Sequence, residues 1–170
     1  VHLLAADDFI FRHDFYAAIS RMPRCGVYLA NVQCQRLDGS IITRSRYDLL
    51  PGPHHQDGDL HRWLATGNSN IGGTACVLSR EACAWLRENG AALAGPWFDS
   101  AIYPACMWTH GVHYFPEVFG GFTEDPAGYG NQRDPIARAR YRAGAEAFFA
   151  KPDVRERLGG LADTLLARVK

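Results

Sequence analysis

Two carboxylate motifs stand out first. Asp7-Asp8 follows an apolar opening, Val1-His2-Leu3-Leu4-Ala5-Ala6, that reads as a buried strand. Acids at the carboxyl end of a strand lie where open α/β sheets place their ligands. A pair of them can hold Mg²⁺ or Mn²⁺, with phosphate oxygens and water completing the shell. The plainer reading is a helix start, because acids near a helix N-terminus are favoured by its dipole. Trp97-Phe98-Asp99 is the second motif, an acid behind two large aromatics and a small-residue loop. An apolar wall raises a carboxylate's pKa and makes it a better general base. The plainer alternative is a helix N-cap.

The histidines form two further groups, His54-His55 with His61, and His110 with His113. Metal sites use such residues, but an HxxH interrupted by Gly111 does not present both rings on one helical face. Cys76 and Cys83 read as core residues. Glu124-Asp125-Pro126 is an acidic loop after a strand, solvated by default.

Elements must position these groups. Residues 12–22 carry Phe15, Ala18 and Ile19 at helical spacing. Residues 26–33 read as a strand, Leu37-Asp38-Gly39-Ser40 as a turn, and 41–44 as its return. Residues 51–59 are loop by composition, with a short helix over 59–65. A strand over 71–78 leads to a helix over 80–89, capped by Ser79 and closed by Gly90. Residues 91–96 read as loop and the stretch to Thr109 as helix, with Pro104 at its start or at a kink. Two short strands, 112–115 and 118–122, flank Pro116-Glu117. Asp134-Pro135 opens a helix to about Ala150, and Pro152 opens another, broken at Gly159-Gly160.

The bulk properties bound the answer. The 170 residues suit one domain, and 47% hydrophobic with 21% charged residues suits a folded chain. Lys+Arg and Asp+Glu are both 18, so no overall basic excess points to nucleic acid. No apolar run reaches the ~18–20 residues of a membrane helix, and the opening has no basic leader of a signal peptide. Five cysteines, an odd number at wide spacing and without CxxC, suggest free thiols in a reducing, cytoplasmic setting. The expected class is α/β, a mixed sheet flanked by helices with a helical tail. That tail, residues 133–170, has nine Lys/Arg against five Asp/Glu. It reads first as a solvated helix face, with docking on an anionic membrane, at its inner face, or on a partner as the alternative.

Taken in order, these motifs resemble nucleotide-sugar glycosyltransferases of the GT-A fold, closest to the family-2 type. Ala5-Ala6-Asp7-Asp8 followed by Arg12-His13-Asp14-Phe15 resembles the DxD region and the helix after it. Residues 26–33 with Asp38-Gly39 resemble the next strand and turn. Residues 71–81 resemble the acceptor-side strand running into an Arg-bearing helix start. Phe98-Asp99 falls where the family carries its catalytic acid, and residues 111–118 resemble the closing strand pair. The resemblance covers roughly residues 1–132, with 133–170 as a C-terminal extension. It departs from the family at Ala5, which replaces the first acid, and at Asp125, where members carry a histidine before proline. The Gln-x-x-Arg-Trp element of processive synthases is absent from the sequence.

The resemblance implies an inverting, metal-dependent hexosyl transfer from a nucleotide sugar to a hydroxyl of a glycan or other acceptor. Asp99 is then the base, Asp7, Asp8 and Asp125 hold Mn²⁺ or Mg²⁺ and the donor diphosphate, and Trp97, Phe98 and Tyr103 meet the acceptor. Trp108 offers a further aromatic face. It also implies that a nucleotide-binding portion belongs upstream of Val1. Two other readings stand beside it. One is a metal-dependent hydrolase built from Asp7, Asp8, His110 and His113. The other is a non-catalytic binding or assembly module on the same fold.

Overall fold

A computed structural model describes the chain except residues 3–7, 11, 13, 45–46, 67–70, 72, 124–133 and 170, and except the side chains of 8, 43, 44 and 96. Its architecture is mixed α/β: a six-stranded mixed sheet flanked by helices, with a helical C-terminal region.

Two long strands make the spine. β2 (Val27–Gln35) is almost entirely buried and pairs in parallel with β6 (Val112–Thr123). A near-continuous apolar run is what a strand covered on both faces requires. Around one half of this pair stand β4 (Gly52–His54), antiparallel to β6, and β5 (Cys76–Leu78), antiparallel to β2. Around the other half stand β1 (Asp8–Ile10), antiparallel to β6, and β3 (Ile41–Arg44), antiparallel to β2.

β6 runs through Pro116-Glu117, where a break into two strands is expected from the sequence. The β2–β6 register steps from Ala30↔Phe115 to Asn31↔Val118, so residues 116 and 117 bulge out of the ladder. Proline has no N–H to give the ladder, and a bulge is where a strand tolerates it. The buried Asn31 amide compensates. Its Nδ2 donates to the Pro116 carbonyl, and its Oδ1 accepts the Tyr114 hydroxyl at 2.9 Å. Beyond the bulge, Gly120 and Gly121 let β1 and β2 approach closely. A Cβ on Gly120 would lie 2.5 Å from the Phe9 carbonyl oxygen, and one on Gly121 2.2 Å from that of Gln33.

The start of the chain differs from expectation. Most of the strand expected over 1–6 lies outside the described residues, and Asp8, expected at its end, is paired opposite Phe122 and continues in β1 to Ile10. Val1 and His2 lie beside β5, with a bridge from His2 to Val77 and the Leu78 N–H donating to the Val1 carbonyl at 2.7 Å. The helix expected over 12–22 is only α1 (Phe15–Ile19). Residues 73–75, expected as strand, form a 3₁₀ turn before β5.

Ser79 and Asp134 cap helices as expected, and Asp57, not singled out in the sequence, caps a third. Asp57 accepts from the Leu60 N–H at 2.7 Å to open α2 (Gly58–Ala65), and Ser79 accepts from Ala82 at 3.1 Å to open α3 (Arg80–Glu88). A 3₁₀ stretch, Ala91–Phe98, replaces the expected loop and leads into α4 (Ile102–His110). Asp134 caps α5 (Pro135–Phe149), with Pro135 in the first turn, where the missing N–H costs nothing. α6 (Pro152–Leu158) and α7 (Leu161–Leu166) follow.

The sheet separates two cores. The smaller joins Phe15 of α1 to Tyr28, Phe115 and Phe119. The larger takes Val27, Leu29, Val112 and Tyr114 from the sheet and side chains from α2, α3, α4, α5, α6 and α7. Phe148, Phe149, Leu161 and Leu165 are part of this larger core. Residues 135–169 are therefore packed into the same interior as the sheet.

Candidate functional site

Asp99 lies at the joint between the 3₁₀ stretch and α4. Three contacts hold this joint. The Ala101 N–H donates to the Trp97 carbonyl at 3.0 Å, and the Ile71 N–H to the Asp99 carbonyl at 3.3 Å. From the far end of the chain, the Arg168 guanidinium donates to the Ser100 carbonyl at 3.2 Å and to the Leu64 carbonyl at the end of α2. Burial lowers the Arg168 pKa from its ordinary value. Upstream, Gly95 takes φ 53° and ψ −125°, and the Tyr141 ring of α5 rests against its Cα.

The Asp99 side chain is half-buried and faces a set of buried phenols and thiols. Burial pushes the Tyr47 and Tyr103 phenols and the Cys76 thiol upward, and the negative charge of Asp99 adds to the effect at each. Tyr47 also meets Trp63 edge-on at 5.7 Å and Tyr114 at 5.8 Å between ring centres.

Several polar atoms around this joint are buried without a protein partner: Tyr47 Oη, Trp63 Nε1, Trp97 Nε1 and Ser100 Oγ. Buried donors are normally paired, and clustered exceptions call for a ligand or water. Indole N–H groups only donate. These donors lie on the elements that meet at the joint carrying Asp99.

Trp97 and Phe98 are partly buried against the larger core. Tyr103 is 2% exposed, with its ring edge-on to Phe98 at 5.3 Å, so it walls the site from within. Tyr47, Trp63 and Arg168 escape a reading of the sequence. Tyr47 lies in a stretch with no periodic pattern, and Arg168 sits 68 positions from Ser100, joined to it only by the fold.

Among the expected metal residues, Asp7 and Asp125 lie outside the described residues, and of Asp8 only the backbone is described. Among the described residues no group of three or more His, Cys, Asp or Glu is placed to hold a metal ion.

His110 and His113 do not converge. His110 closes α4 and meets Trp85 edge-on at 5.2 Å, on the side of the larger core. His113 lies against Phe115 at 4.8 Å and Tyr28, on the other side of the sheet. The backbone of Asp8 is opposite Phe122, at the end of β6 remote from both. The second histidine group is likewise spread. Both ring nitrogens of His54 are engaged, by Asp57 at 3.0 Å and the Leu50 carbonyl at 2.8 Å. His55 Nε2 is 3.6 Å from the Cys25 thiol, and His61 lies edge-on to Trp108.

No protein-family model, curated protein or solved structure matches this chain.

Proposed function

We propose that this chain carries the acceptor side of an inverting, family-2-like glycosyltransferase of the GT-A type, with Asp99 as general base. The observation that supports it most directly is the setting of Asp99. A half-buried carboxylate acts electrostatically on the buried Tyr47 and Tyr103 phenols, and its chain neighbourhood carries the unpartnered Trp97 Nε1 and Ser100 Oγ. Such a site suits a hydroxyl-bearing acceptor. The order of the motifs along residues 1–132 supports the same reading.

In this reading the Asp99 carboxylate takes the proton of the acceptor hydroxyl as its oxygen attacks the anomeric carbon. The new C–O bond forms as the bond to the departing nucleoside diphosphate breaks, with inversion. Trp97 and Phe98 exclude water, and Arg168 holds the Ser100 carbonyl so that the carboxylate keeps its direction. A divalent metal, where the resemblance implies one, would neutralise the leaving diphosphate.

The test is the Asp99→Asn variant of the full-length protein, assayed with Mn²⁺ and a panel of nucleotide sugars for release of nucleoside diphosphate. General-base catalysis is worth about 10²–10⁴-fold, so transfer falls by at least that lower factor while donor binding stays within a few-fold. Turnover unchanged in Asp99→Asn removes the assignment. Failure of the wild-type protein to bind any nucleotide sugar favours the non-catalytic module.

A further inference from the structure

Cys25 and His55 meet away from the joint that carries Asp99. Cys25 Sγ lies 3.6 Å from His55 Nε2, although the two residues are 30 positions apart. Three chain segments bring them together at one end of the sheet. Cys25 lies just before β2, Gly111 just before β6, and His55 just after β4. The His55 ring rests on Gly111, where a Cβ would lie 2.3 Å from its Nδ1.

The turn behind His55 is strained. Gln56 has φ 49°, and among the described residues it alone has a positive φ without being glycine. Such a conformation persists where surrounding contacts enforce it, and it gathers at sites of function. Here the Asp57 carboxylate enforces it. It accepts from the His54 ring at 3.0 Å, from the Leu60 N–H at 2.7 Å and from the His55 N–H.

The thiol and the imidazole differ in access. Cys25 is 5% exposed and belongs with Tyr28, Ala30 and Phe115 to the smaller core, whereas His55 is exposed. Burial raises the Cys25 thiol above its ordinary pKa, so it keeps its proton until a base takes it. An imidazole within hydrogen-bond reach is such a base. A reagent must be small to reach a thiol so nearly covered. It must also need no oxyanion donors. The Cys25 N–H is given to Tyr28 Oη at 3.3 Å, and the Gly26 N–H to the His110 carbonyl at 2.8 Å. Acyl transfer fails the second condition, and a small hydroperoxide meets both.

We propose that Cys25 and His55 form a thiol–imidazole pair through which hydrogen peroxide, or another small hydroperoxide, oxidises Cys25 to its sulfenic acid. Sγ attacks one peroxide oxygen as its proton passes to His55 Nε2, and the O–O bond breaks. The proton then goes to the departing oxygen, which leaves as water. The sulfur loses two electrons and the peroxide gains them. Cys76, Cys83 and Cys106 belong with the larger core and Cys34 lies near the far end of β2, so the product stays a sulfenic acid. The inference does not rest on the transferase reading.

The test exposes the reduced full-length protein to substoichiometric hydrogen peroxide and then to catalase. Dimedone and iodoacetamide follow in urea, so that all five cysteines are reached. Mass spectrometry of the peptides reports sulfenic acid at each one. Cys83 is the internal control, because it is more exposed than Cys25. Cys25 is expected to be oxidised first. Base assistance is worth about 10²–10⁴-fold, so His55→Gln slows Cys25 by about tenfold or more and leaves Cys83 unchanged. Added imidazole restores the rate in His55→Gly, which a loss of packing alone does not explain. Circular dichroism checks that each variant is folded, and His55→Asn replaces one that is not. The proposal is overturned by oxidation of Cys83 ahead of Cys25, by absence of sulfenic acid at Cys25, or by an equal rate in wild type and a folded His55 variant.

Discussion

Asn31 shows how much one buried polar side chain can decide. It is 3% exposed in the middle of β2, where an apolar residue is the ordinary choice. Its amide serves the Pro116 carbonyl and the Tyr114 hydroxyl together. Replacing it with Ala leaves the buried Tyr114 hydroxyl unpaired and frees the Pro116 carbonyl of the bulge. We expect Asn31→Ala to lower unfolding free energy by about 1–3 kcal/mol in urea titration, and Asn31→Leu to give no rescue.

The histidines predict a pH dependence of stability. Burial lowers the pKa of His110 and of His113 below the ordinary 6.5. At His110, Arg157 adds to the lowering, while Asp153 and Glu81 oppose it. At His113, His54 adds to it. With folded-state values below the unfolded one, the unfolded chain binds protons first as pH falls. Stability is then full above pH 6.5 and declines below it until the folded-state pKa values are passed. His110→Phe preserves the edge-on contact with Trp85 and removes one titrating group. Denaturant midpoints measured across this range should show a shallower acid slope in that variant.

At the scale of elements, the joint carrying Asp99 depends on a glycine. Gly95 has φ 53°, and a Cβ there would lie 2.4 Å from Cδ1 of Tyr141. Gly95→Ala therefore forces α5 away from the 3₁₀ stretch and strains the backbone. We expect a loss of about 1–3 kcal/mol in thermal or urea unfolding. Adding Tyr141→Ala should give a total smaller than the sum of the two single losses, because one collision underlies both. Additive losses would show that the ring and the glycine act separately.

Elements with local signals could be read from the sequence. Ser79, Asp134-Pro135 and Asp38-Gly39 act within three or four residues of themselves, and they start a helix or make a turn as expected. β4 and the unbroken β6 escaped that reading. Gly52-Pro53-His54 has loop composition and becomes a strand because β6 supplies the ladder. Pro116 breaks a local pattern, but Asn31 in β2 repairs it from across the sheet.

At the scale of the whole molecule, the C-terminal helices are structural. Phe148, Phe149, Leu158, Leu161 and Leu165 pack with Val27, Leu29 and Val112 of the two central strands. A chain ending at residue 134 leaves that apolar face uncovered. We expect it to lose the cooperative unfolding transition seen by circular dichroism, because the larger core then lacks one side. A sharp transition retained by that truncation would show that residues 1–134 fold independently.

The sequence by itself determined the class of the fold, most helix starts, the two aromatics before Asp99 and the basic bias of the last segment. Each of these rests on composition or on contacts a few residues long. Tertiary structure alone decided that Tyr47 and Trp63 lie in the surroundings of Asp99 and that Arg168 reaches Ser100. It also separated His110 from His113, which the hydrolase reading had brought together. The physical reason is the same in each case. Chain direction and strand register bring distant residues together or turn near neighbours to opposite faces of a sheet, and neither is encoded in local spacing.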